Sequence, residues 1–133
     1  MKKILFALLI CLSLAIVTTP SMAAKCEGGE EIQGVINKHI YCRSKNGMTW
    51  WGAMAWCKKQ GRELASIKQL CIEWAGSIGV GICPNMQVSN SAVLWSSNPM
   101  GNYSAYTVDV PDGSIGNLSR YTGYGNKGCA VCY

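Results

Sequence analysis

Charge is scarce in this chain, and histidine scarcer. Only 14% of its residues are Asp, Glu, Lys or Arg, and no run of Lys or Arg is longer than a pair. A protein that neutralises phosphates needs a basic stripe, so no nucleic-acid partner is expected. The single histidine, His39, rules out a histidine-pair zinc site. No nucleophile elbow or phosphate-binding glycine loop stands beside it, so His39 reads as a surface or strand residue. Carboxylates are few. Beyond residue 90 there are only Asp109 and Asp112, on either side of a turn signal. Calcium takes about six to eight oxygen ligands, so no calcium or other metal is expected. Turn chemistry explains Asp112 better than a glycosidase acid pair does. The expectation is a protein that is not an enzyme and carries no cofactor. No internal repeat or low-complexity segment occurs.

The one long apolar run, Ile4 to Val17, falls short of the roughly 20 residues of a membrane span. Lys2 and Lys3 precede it, a small polar stretch from Thr18 to Ala24 follows, and Ser21 and Ala23 occupy the −3 and −1 positions of a cleavage site. Residues 1–23 read as a signal peptide and 24–133 as a single domain. Cys26 follows Lys25 and Cys11 follows Ile10, so neither makes a lipobox. The expected product is secreted or periplasmic, with no stable membrane insertion after cleavage. Removing Lys2 and Lys3 from the 12 basic residues leaves ten against seven acidic ones, a net charge near +3. About 110 residues can build one modest core.

Cysteine is what the chain has in excess. Of its 8 cysteines, those left after cleavage are Cys26, Cys42, Cys57, Cys71, Cys83, Cys129 and Cys132. In an exported chain this density reads as a disulfide framework. Cys129 and Cys132 form a C-x-x-C, but nothing completes a zinc site, and the motif ends a strand rather than opening a helix as a redox motif would. An odd count leaves one thiol free or bonded to another chain.

Cys26 to Asn46 reads as an opening hairpin, with a strand at Val35–Arg43 and a turn at Asn46-Gly47. Met48 to Ile67 is the best-defined stretch. Thr49 is an N-cap, and Trp50, Ala53, Met54 and Cys57 share one helical face. Lys58, Lys59 and Arg62 suit the dipole at the C-terminus, and Gly61 stops the helix. Leu64–Ile67 then forms a strand or turn. Ser66-x-x-Gln69 has capping-box spacing for a second helix, with Ile67, Leu70, Cys71 and Trp74 apolar and Gly76 as its stop. Residues 77–91 read as a loop pinned by a Cys71–Cys83 bridge. Ala92–Trp95 is a strand ended by Asn98-Pro99. Ala105–Val110 alternates, with Tyr106, Val108 and Val110 on one face. Val110-Pro111-Asp112-Gly113 is a turn. A partner strand covers 114–120, a glycine-rich loop 121–127, and a last strand 129–133. Two early helices followed by an antiparallel meander give an α+β class.

The helix stretch resembles the first helix of C-type lectin-like domains. That family has Trp, Ala three later, Cys seven later, then Gly and a Leu-Ala-Ser-Ile-like strand. Here these are Trp50, Ala53, Cys57, Gly61 and Leu64–Ile67. The ending Cys129-Ala-Val-Cys-Tyr133 looks like the family's last strand. The resemblance covers roughly Tyr41–Ile67 and Trp95–Tyr133 and is nearest to small secreted bacterial members. It implies a C-type lectin-like fold, two helices packed on a small antiparallel sheet, and a Cys57–Cys132 bridge. Among the other cysteines, Cys71 pairs most economically with Cys83. Cys26–Cys42 is the first choice for the rest, leaving Cys129 over; the alternative bonds Cys129 to Cys26 or Cys42. The family's calcium and sugar motifs are missing. Asn98-Pro99 follows Ser97 rather than Glu, and Trp95 is followed by Ser96-Ser97 rather than Asn-Asp.

The late segment mixes Trp95, Tyr103, Tyr106, Tyr121 and Tyr124 with Ser, Asn, Gly and Thr, a composition suited to adaptable recognition and to stacking on sugar rings. Trp95 and Tyr106 read first as core, and Tyr103, Tyr121 and Tyr124 as exposed. The binding candidates are Trp95, Asn98, Asn102, Tyr103, Tyr121 and Tyr124, in loops 96–104 and 119–127. The expected function is an exported, adhesive module that binds a glycan or a protein without calcium. The alternative is a structural subunit of the cell envelope or of an extracellular appendage, bonded to another chain through Cys129 or Cys26.

Overall fold

The computed structural model describes residues 26–74, 83, 92–110, 112–121 and 128–133. The signal peptide, the Gly76 stop, most of loop 77–91 and residues 122–127 lie outside the described residues. Six strands dominate: β1 (Gly29–Gln33), β2 (Ile40–Gly47), β3 (Ala92–Met100), β4 (Ser104–Val110), β5 (Ile115–Ser119) and β6 (Cys129–Cys132). Among the described residues the helices are short, α1 (Trp50–Lys59) and a π-helical segment, Lys68–Trp74. The strands form one sheet in the order β1-β2-β6-β3-β4-β5. Its pairs are antiparallel except β3 with β6, which run parallel and register Leu94 with Cys129.

This overturns the α+β, C-type lectin-like expectation of two helices on a small antiparallel sheet. The fold is mostly strand, and its sheet is large and mixed. The reason lies in β6. The last strand enters the middle of the sheet and joins the β1–β2 hairpin to the β3–β4–β5 meander. All four of its residues are buried, because alternate side chains feed cores on opposite faces. Cys129 and Val131 meet Tyr41, Leu94, Val108, Leu70 and Cys71 on one face. Ala130 and Cys132 meet Cys42, Trp95, Ala105 and the α1 residues Trp50, Ala53 and Cys57 on the other.

α1 forms where its caps stand. The Thr49 side chain accepts the Gly52 N–H, Lys58 and Lys59 lie in the last turn, and Gly61 takes a φ of 72°, which glycine adopts without steric cost. Trp50, Ala53 and Cys57 are buried, whereas Met54, expected on the same face, is exposed. Gln60 ties the helix end to the start of the domain, accepting the Glu27 N–H at 2.8 Å and donating to the Glu27 carbonyl at 3.2 Å. Ser66 and Gln69 form the expected reciprocal capping box, at 2.8 and 3.1 Å, but the turn they open is π-helical.

Several boundaries differ from expectation. The strand expected at Val35–Arg43 is split. Its first part is a turn in which Asn37 Oδ1 accepts the His39 N–H and Lys38 has a φ of 58°. Asn46-Gly47 closes β2 instead of turning away from it. β3 passes through Asn98-Pro99 to Met100, with an irregularity between Trp95 and Pro99, and the chain reverses at Gly101, φ 62°. An irregular strand segment can hold a proline that has no N–H to donate.

Among the described residues three disulfides staple the fold: Cys26–Cys42, Cys57–Cys132 and Cys71–Cys83. These are the pairs named above. Cys129 is unpaired and buried. Because Cys42 and Cys132 are direct cross-strand partners, the first two bridges lie side by side under α1.

Tyr41 gives a pH prediction. Its hydroxyl accepts from Asn37 Nδ2 and donates to the Gln69 carbonyl. Burial pushes its pKa up from 10.0 to about 12. A raised folded-state value means that the stabilisation is complete below the unfolded pKa and is lost as pH climbs through the folded one. The urea midpoint of the native protein should therefore fall between pH 10 and 12, and Tyr41→Phe should flatten that fall. An unchanged slope in Tyr41→Phe would assign the alkaline loss to another group.

Candidate functional site

The described surface concentrates aromatic exposure at one end of the β4–β5 hairpin, where the β3–β4 turn meets the start of α1. β4 and β5 register Ser104 with Ser119 at this end and Val108 with Ile115 at the other. The strand pairing continues one step further, the Arg120 N–H donating to the Tyr103 carbonyl at 2.8 Å. The Arg120 carbonyl accepts the Trp50 N–H at 3.1 Å, which fixes the start of α1 to the hairpin.

Arg120 organises this corner. Its Nε donates to the Ser104 carbonyl at 2.9 Å and its Nη2 to the Gly101 carbonyl at 2.7 Å. Its guanidinium carbon sits 4.7 Å from the Trp50 ring centroid and 5.8 Å from that of Trp51, within cation–π range. The two indoles meet edge to face at 4.7 Å. Trp50 is buried and anchored, with Nε1–H donating to the Ser96 carbonyl at 2.8 Å. Trp51, about 100° round the helix, is 51% exposed, Tyr103 71% and Tyr121 67%. Three large, flat side chains thus stand in solvent around one fixed cation.

The sequence candidates divide. Tyr103 and Tyr121 belong to this surface, and Asn102 lies exposed in the turn beside Tyr103. Trp95 does not. It is fully buried, its Nε1–H donates to the Met48 carbonyl at 2.7 Å, and Gly128 packs so tightly on the indole that a Cβ there would overlap it. Asn98 is a clasp, its Oδ1 accepting the Ile67 N–H at 2.7 Å. Tyr124 lies outside the described residues. Tyr106, read first as core, is 37% exposed and helps line a cavity of about 270 Å³ with Ile67, Asn98 and Ile115. Trp51 and Arg120 are the residues that sequence reasoning missed. The adjacent Trp50-Trp51 pair carried a signal, since a helix that buries one of two neighbours turns the other outward.

His39 serves packing. Its ring stacks on Tyr133 at 4.1 Å and meets Tyr41 edge-on at 5.1 Å. A second cavity, lined by Glu30, Arg43, Ser44 and Lys45, surrounds the Arg43–Glu30 ion pair at 3.7 Å, which joins β1 to β2. Among the described residues no three His, Cys, Asp or Glu side chains come together as a metal site, and no helix is long and apolar enough to cross a membrane. The chain matches no protein-family model and no curated protein.

Proposed function

We propose that this protein is an exported, non-catalytic binding module that recognises a glycan, without calcium, through the surface built by Trp51, Tyr103, Tyr121 and Arg120. The observation that carries this reading is the exposure of three aromatic side chains around a cation held by two backbone carbonyls. Exposed rings offer rigid apolar faces to the C–H faces of sugars at little entropic cost, and the neighbouring Asn102 and Ser residues can bond hydroxyls. Large aromatic side chains left exposed at one corner of a small domain suit an interaction site. Three disulfides and the leader-like first 23 residues support secretion or a periplasmic location.

The alternative, a structural subunit bonded to another chain through Cys26 or Cys129, finds less support. Cys26 is already bonded to Cys42, and Cys129 is buried in the middle of the sheet.

Screening the mature protein on a glycan array, with and without chelator, tests the proposal. Binding should survive chelation. Trp51→Ala should weaken it by at least about tenfold, equivalent to roughly 1.4 kcal/mol, while the unfolding midpoint stays near that of the parent. A Trp51→Ala protein that binds as well as the parent would remove Trp51 from the site, and sensitivity to chelator would overturn the calcium-free mechanism.

A further inference from the structure

We infer that the sugar this surface takes is acidic, a carboxylate-bearing pyranose whose anion pairs with Arg120 while its ring stacks on the exposed aromatics. The inference rests on the binding reading above and adds the ligand's chemical class.

The first argument is the state of the Arg120 guanidinium. The group carries five N–H donors in a planar fork. The hydrogen bonds of its side chain go from Nε to Ser104 and from Nη2 to Gly101. Nη1 has no partner among the described residues. Nor does any carboxylate among them pair with Arg120, although Arg43 has Glu30. Arg120 is also not among the side chains with a buried, unsatisfied nitrogen. The cation is oriented by carbonyls, stacked on an indole and left without a counter-charge. A planar carboxylate fits such a fork better than a neutral hydroxyl does.

The second argument is where the acidic residues stand. Asp109 and Asp112 lie at the opposite end of the β4–β5 hairpin, beside Gly113 and Ser114. Glu30 and Glu31 are on β1, at the far edge of the six-stranded sheet. Nothing acidic occurs between Met100 and Val108 or between Ser114 and Tyr133. An incoming anion therefore meets no like charge on the segments that build the site. Burial, and then the neighbouring Asp112, raise the Asp109 pKa at that other end.

The third argument is geometric. Trp51, Tyr103 and Tyr121 supply faces for a ring, and Arg120 stands between the helix carrying Trp51 and the turn carrying Tyr103. A sugar stacked on Trp51, whose ring centroid lies 5.8 Å from the Arg120 guanidinium carbon, has a cation within reach of an exocyclic carboxylate.

The test is calorimetric binding of oligogalacturonate and of its carboxyl-reduced, neutral counterpart to the mature protein, at low and at physiological salt. The acidic form should bind about tenfold tighter or more, and its advantage should shrink as salt rises. Arg120→Gln should abolish the preference. Because Arg120 also holds the turn and Trp50, its circular dichroism must match the parent's. Arg120→Lys, which keeps the charge but not the fork, serves as the second variant and should lose most of the preference while staying folded. Equal binding of the two oligosaccharides would overturn the acidic class and leave the glycan reading standing. Binding of neither, together with an empty glycan array, would overturn both. A preference that persists in Arg120→Gln and Arg120→Lys would remove Arg120 from recognition.

Discussion

Replacing Cys57 and Cys132 together by alanine should destabilise the protein by on the order of 4 kcal/mol, the largest effect of removing any one bridge. The bridge spans 75 residues, against 16 for Cys26–Cys42 and 12 for Cys71–Cys83. In the chain-entropy account the restraint on the unfolded chain grows with the logarithm of loop length, so the two short bridges contribute about 3 kcal/mol each. The long one also joins α1 to the strand on which both halves of the sheet pair, and both of its sulfurs lie in a fully buried cluster. The comparison should be made between double variants. A single Cys57→Ala would leave the Cys132 thiol directly across from Cys42, where it can attack the Cys26–Cys42 disulfide and exchange with it. Urea midpoints of the Cys57→Ala/Cys132→Ala and Cys71→Ala/Cys83→Ala proteins decide the matter. If the second pair proves as costly as the first, loop length is not what sets the stabilisation.

How much of this was legible in the sequence depended on how local each feature is. α1 was readable because Thr49, the Trp50–Ala53–Cys57 spacing and Gly61 all act within one helix. The capping box at Ser66 and Gln69 was readable for the same reason, though not the π-helical turn that follows it. The sheet was not readable, because its key pairing is long-range. Nothing within Cys129–Cys132 announces that it will lie parallel to Leu94 and antiparallel to Arg43, so local pattern alone suggests a meander and overweights the helices. Asn98-Pro99 signals the end of β3, since proline usually ends a strand, and the irregularity that accommodates it depends on β4. The candidate site is half legible. Tyr103 and Tyr121 stand in polar, glycine-rich surroundings that signal exposure. Trp95 stands among similar residues, yet Met48 and Gly128, distant in sequence, bury it. Nothing local marks Arg120, because its carbonyl partners and its indole come from the β3–β4 turn region and from α1.

Trp50→Ala should cost about 3–5 kcal/mol, in the range of other large core truncations. Trp50 is only 5% exposed and packs in the cluster with Cys57, Ala130 and Cys132. Its truncation would open a cavity where α1, β3 and β6 meet. It would also strand the buried Ser96 carbonyl, which accepts the indole N–H at 2.8 Å, and a buried polar group left without its partner carries its own penalty. Trp50→Phe separates the two contributions, since it restores most of the volume but not the donor, and should cost about 1–3 kcal/mol. Trp51→Ala is the internal control. It is the next residue on the same helix and half exposed, so its truncation should stay near 1 kcal/mol or below, in keeping with surface substitutions. The three variants also separate fold from site. Trp50→Ala should lower stability and, by releasing Arg120 from the ring it stacks on, weaken binding as well. Trp51→Ala should weaken binding alone. Equal urea midpoints for the two alanine variants would mean that the buried face of α1 is misassigned.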